Sequence, residues 1–123
     1  MFVIQEEINE TIDWPVIVEV PVSGGKNRKY EFTGTFNRLS DEQKEAVMDI
    51  KPGGVSGEWV DGYLDRTMEV MVDWKGVVTP QNEPIAYSRE TLRKAVMAPS
   101  GLAVINAIAR AMHQIEAGVK AKN

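Results

Sequence analysis

A chain of 123 residues, with 43% apolar and 26% charged side chains, has the size and balance of one soluble domain able to bury its own core. It contains no cysteine, which excludes disulfides, thiolate metal sites and thiol nucleophiles. Its net charge of −4, with the bases scattered, argues against nucleic-acid binding, which needs a basic field to displace counterions from phosphates.

The first residues, Met1 to Glu7, do not read as a signal peptide, because carboxylates interrupt the apolar run at once and no basic start precedes it. No apolar stretch approaches the roughly 20 residues of a membrane helix. Phe2-Val3-Ile4 is a candidate short strand. Residues 15–36 read as a β-hairpin: Val16, Val18, Val20 and Val22 alternate with Ile17, Glu19 and Pro21, and Tyr30, Phe32 and Phe36 share one face of the return strand. Ser23-Gly24-Gly25-Lys26-Asn27 supplies the turn. Pro21 cannot donate a ladder hydrogen bond, so its strand is expected to be an edge strand or to end there. Lys26, Arg28 and Lys29 are the nearest thing to a basic patch and read as a solvated turn.

The pattern then turns helical. Ser40 with Gln43 forms a capping box, Asp41 and Glu42 suit the positive helix start, Ala46, Val47 and Ile50 form the inward face, and Pro52-Gly53-Gly54 stops the helix. A second helix is expected over residues 58–74, where Val60, Tyr63, Leu64, Thr67, Met68, Met71 and Trp74 recur at helical spacing. The β-branched Val70 and Val72 leave open a short strand around Met71. Gly76 is placed to cap the end. A polar turn follows. Ser88 then caps a third helix, with Tyr87 and Leu92 at the spacing of a hydrophobic staple. Ala98-Pro99-Ser100-Gly101 breaks it. The last helix, which Ser100 can cap, places Leu102, Ile105, Ala109 and Met112 on one face beside Ile108 and Ile115, and Gly118 ends it. The expected fold is α+β: an N-terminal antiparallel hairpin, with or without a third strand, then about four helices. One domain covers residues 1–123, β-rich to 37, helical over 40–118, with a flexible tail from 119.

No arrangement of catalytic residues emerges. His113 is the single histidine and has no nucleophile to activate, so it reads as a surface or boundary residue. Asp61, Asp65, Glu69 and Asp73 step by four along the polar side of the second helix. Carboxylates one turn apart can share a hard cation or meet a basic partner, but an amphipathic helix also needs a solvated face, and no second element supplies further ligands. Gly24-Gly25 and Gly53-Gly54 lack the spacing and lysine of a phosphate loop and read as turns. No metal or cofactor is expected. Three tryptophans and six methionines suit either a core or an adaptable protein interface. Trp14 reads as core rim, while Trp59 and Trp74 fit core and interface equally.

The order of these pieces resembles the tail assembly chaperones of long-tailed bacteriophages. Those proteins often begin with a short hairpin, here Trp14-Pro15 through Val22, Gly24-Gly25 and Tyr30-Glu31-Phe32. Their helical half carries a V-x-D-W-x-G-V segment, here Val70-Met71-Val72-Asp73-Trp74-Lys75-Gly76-Val77. A (F/Y)-S-x-E-x-L helix start follows, here Tyr87-Ser88-Arg89-Glu90-Thr91-Leu92, then a proline break at Pro99 and a final helix. Lys75 departs from the pattern, standing where an acidic residue is common. The resemblance spans most of the chain but not residues 1–13. It implies a non-catalytic protein of the bacterial host cytoplasm that binds the helical tape measure protein, helps recruit tail tube subunits and is absent from the finished virion. The family commonly makes a longer frameshifted product. A minor tail structural or tail completion protein and a metal-dependent enzyme using the acidic helix face are the alternative readings. The client surface is expected among Trp59, Met68, Met71, Trp74, Tyr87, Leu92, Met97 and Met112, and both monomer and homo-oligomer fit.

Overall fold

The computed structural model describes residues 11–38 and 57–118. The candidate strand at Phe2, the capped helix from Ser40 and the tail from 119 lie outside the described residues. The architecture is α+β. Strands β1 (Thr11–Val22), β2 (Lys26–Asn37) and β3 (Met71–Lys75) form an antiparallel sheet in the order β1-β2-β3. Three helices are present among the described residues: α1 (Gly57–Val70), α2 (Arg89–Met97) and α3 (Gly101–Ala117).

The hairpin follows its period-two pattern. Val16 pairs with Phe32, Val18 with Tyr30 and Val20 with Arg28, and Gly24 and Gly25 take φ of 83° and 71° in the turn. The inner face packs under α3, which runs antiparallel to β1. The Trp14 indole Nε1 donates to Gln114 Oε1 at 2.9 Å near the end of α3, while Glu19–Pro21 lie beside its start. The outer face carries polar pairs: Thr35 donates to Asp13 at 2.8 Å, and Lys75 pairs with Asp13 at 3.6 Å. Lys75, the departure from the family pattern, is thus answered within the chain.

The expected helix over residues 58–74 is corrected. It ends at Val70, and Met71–Lys75 becomes the third strand. A bulge explains why the helical reading was so well supported. Trp74 pairs with Gly34 and Met71 with Phe36, so β3 carries one residue too many opposite Thr35 and Phe36. The bulge lets Met71 and Trp74, three residues apart, both face the core, with Val72 and Asp73 outside. A regular strand would turn them to opposite sides. Buried residues at spacing three mimic a helix, and only strand pairing distinguishes the two.

Gly34 has a tryptophan opposite it on each side, Trp14 on β1 and Trp74 on β3. A Cβ there would lie 2.6 Å from the Phe36 ring and 3.1 Å from Met71 Sδ, so the glycine makes room for the ring lying over it. The core then gathers Val16, Val18 and Phe36 from the sheet, Val60, Tyr63, Leu64 and Val70 from α1, Leu92 and Val96 from α2, and Ile105, Ile108 and Met112 from α3.

Candidate functional site

The family-like stretch from Trp74 to Leu92 is built as a brace. Gly76 takes φ of 87° and ends β3 rather than a helix. The chain then folds back on itself: Val78 bridges Pro84, Ile85 N–H donates to Val77 O at 2.9 Å, and Asn82 holds the left-handed position at φ 64°. The Trp74 indole donates to Ile85 O at 2.8 Å, and the Tyr87 hydroxyl donates to Met71 O at 2.6 Å. Their rings meet edge-on at 4.9 Å, and Phe32 meets Trp74 edge-on at 6.0 Å. Ser88 caps α2 as expected, with Thr91 completing the box: Thr91 N–H donates to the Ser88 hydroxyl at 3.1 Å and Ser88 N–H to the Thr91 hydroxyl at 2.9 Å.

This brace removes much of the expected client surface. Trp74 is only 6% exposed, and Met71, Leu92 and Met112 are buried with it. Trp59, Met68 and Tyr87 are half-buried against the core, Trp59 stacking on Tyr63 at 5.2 Å. Of the expected contact residues, Met97 alone stands well out, at 51% exposure. The reason is the bulge and the loop together. They turn both motif aromatics inward, where each polar atom finds a backbone carbonyl.

The acidic stripe is also redrawn. Asp73 has left it for β3, and α2 brings two arginines to what remains. Arg93 donates to Asp61 Oδ1 at 2.6 Å, and Arg89 donates to Asp65 and lies 3.8 Å from Asp61. Asp61 and Asp65 thus meet cations of the same chain. Among the described residues no three acidic, histidine or cysteine side chains converge as metal ligands. His113 is exposed, as expected.

Two tyrosines sit in poorly solvated places. Burial pushes the Tyr63 phenol up to about 12, with the neighbouring Thr67 hydroxyl and Arg66 partly offsetting it. Tyr63 Oη and Thr67 Oγ1 are buried without a well-formed hydrogen bond. Burial also raises the Tyr87 phenol, helped by Tyr63 and Asp73.

Apolar surface is instead exposed at the corner between α2 and α3. The corner bends the chain through 117° and is closed by Gly101, whose N–H donates to Ala98 O at 2.8 Å. Ser100 makes no side-chain cap there, contrary to expectation. Leu102, expected on one face with Ile105 and Met112, is 61% exposed whereas they are buried. It falls about 60° round the helix from Ile105, on the side away from Ile108 and Met112. Leu102, Ala103, Pro99, Val20 and Pro21, with the polar Glu19, Ser100 and Asn106 among them, line an open groove of about 800 Å³ between this corner and β1. Val22 and Tyr30 are exposed at the hairpin end. The sequence pattern missed this surface because each residue belongs to a run that is elsewhere core. Comparing element lengths points to it: a strand of 12 residues spans about 40 Å and a helix of 17 about 25 Å. No single helix among the described residues is long and apolar enough to cross a membrane.

No protein-family model, curated protein or solved structure matches the chain.

Proposed function

We propose that this chain is a tail assembly chaperone of a long-tailed bacteriophage or prophage: a non-catalytic protein that binds the tape measure protein and helps recruit tail tube subunits in the host cytoplasm. The observation that carries this reading is the exposed apolar corner: Met97 is 51% exposed at the end of α2, and Leu102, 61% exposed, lines an open, mainly apolar groove with Val20, Pro21, Pro99 and Ala103. Contiguous apolar surface of this kind costs solubility and is kept where a partner covers it. Methionine and leucine suit a client helix, since they adapt to its side chains. The motif residues support the reading in a different way from a contact surface. Val70 to Val77 and Tyr87 to Leu92 are the bulged strand, its end and the capped start of α2, the helix that leads into the corner.

Co-expression with a tape measure protein tests the proposal. A soluble complex that co-purifies is expected, and a client that stays insoluble in the presence of this chain would sink it. Mass spectrometry of purified particles separates a chaperone, which is absent from them, from a tail structural protein, which is present.

A further inference from the structure

The hairpin outruns the helix that covers it. With Gln114 hydrogen-bonded to Trp14, the helix α3 reaches back along β1 only as far as Glu19–Pro21, where Leu102, Ala103 and Asn106 line the groove. Among the described residues, no helix therefore lies over the inner face of the last stretch of hairpin. Strand pairing identifies what that face presents. Val18 is opposite Tyr30, Val20 opposite Arg28 and Val22 opposite Lys26, and directly opposed residues share a face. Tyr30, at 51%, and Val22, at 38% exposure, continue the apolar floor. Arg28 and Lys26 edge it, both exposed and neither in an ion pair with any described residue. Lys29 differs: it pairs at 3.9 Å with Glu19, the one carboxylate lining the groove, and so offsets its charge.

We infer that this face, from Leu102 across Val20 and Val22 to Lys26 and Arg28, is a docking site for an amphipathic helix of a partner protein whose apolar stripe is flanked by carboxylates. The apolar floor takes the stripe. The two unpaired cations take the acidic flank and set the direction in which the helix lies. In a chain of net charge −4, a local basic rim selects an acidic segment that the rest of the surface repels. A neutral apolar helix would fill the groove without answering Lys26 and Arg28, and a basic one would be driven off by them. The assignment rests on the chaperone reading for the source of the helix, the client, but its chemistry stands on the face itself.

Fluorescence anisotropy tests it with two labelled synthetic helical peptides sharing a leucine stripe, one flanked by glutamates and one by lysines. The glutamate peptide is expected to bind at least about tenfold more tightly. Lys26→Glu with Arg28→Glu should reverse that order. Leu102→Glu, and independently Val22→Glu, should abolish binding while leaving the melting temperature unchanged. Equal binding of the two peptides, no binding of either, or binding indifferent to Leu102→Glu and Val22→Glu would overturn the proposal. So would a dimer in light scattering that Leu102→Glu dissociates, since a second copy would then be the occupant. Co-expression separates this site from the function. A soluble client complex that survives both apolar variants removes the groove and leaves the chaperone reading. An insoluble client alongside intact, charge-selective peptide binding removes the chaperone reading and leaves the groove.

Discussion

Trp74 shows how one side chain can serve as a structural centre. Its indole is buried, donates to Ile85 O and meets Phe32 and Tyr87 edge-on. Trp74→Phe keeps the aromatic contact but leaves a loop carbonyl without its donor, which costs about 1–3 kcal/mol, and Trp74→Ala costs about 3–5 kcal/mol. Urea denaturation of both variants checks this; a Trp74→Ala loss below 1 kcal/mol would contradict the buried position. Tyr63 makes an opposite prediction. Its hydroxyl is buried without a good partner, so Tyr63→Phe is expected to be neutral or stabilising by up to about 1 kcal/mol. It also carries a pH signature. The folded state raises the phenol from 10.0 to about 12, so its contribution is complete below pH 10 and is lost as pH rises towards 12. The loss is on the order of 3 kcal/mol, and Tyr63→Phe should flatten the alkaline fall in melting temperature over that window.

At the scale of elements, the α2–α3 corner is the most constrained junction. A Cβ on Gly101 would lie 1.8 Å from Val96 O, an atom of the backbone that cannot swing aside. Gly101→Ala should therefore cost about 2–3 kcal/mol despite the better helix propensity of alanine, read by thermal melting. A gain in stability would mean the corner is looser than the geometry requires. The ion pairs joining α1 to α2 act differently. The Asp61, Asp65, Arg89 and Arg93 side chains are all roughly half exposed or more, and such pairs contribute about 0–1 kcal/mol each. Asp61→Asn is expected to shift stability by less than 1 kcal/mol, and the shift should shrink in high salt. Their role is to fix which face of α2 meets α1. Ser88, Pro99 and Gly118 act where their residue types say they should, because caps and breaks depend on a few adjacent residues. The reach of α1 was not legible in that way. Met71 and Trp74 keep a helical interval through a bulge whose partner strand lies 35 or more residues earlier in the chain.

For the whole molecule, the exposed corner predicts a separation of stability from binding. Leu102→Glu and Val22→Glu change exposed side chains and should move the folding free energy by no more than about 0.5 kcal/mol. The same changes are expected to eliminate client capture in co-expression, whereas Trp74→Ala should reduce it only by lowering the folded fraction. Pull-down yields normalised to folded protein distinguish the two. The sequence by itself determined the α+β class, the hairpin with its turn, the cap at Ser88 and the break at Pro99. Each is written in local spacing and in the backbone preferences of glycine, proline and serine. Only the tertiary structure decided that Met71 and Trp74 belong to a strand, that Asp61 and Asp65 meet Arg89 and Arg93, and that Leu102 faces solvent while Leu92 does not. Burial depends on which element lies opposite and how far it reaches, and here the short helix α3, laid along the longer strand β1, stops before the hairpin end.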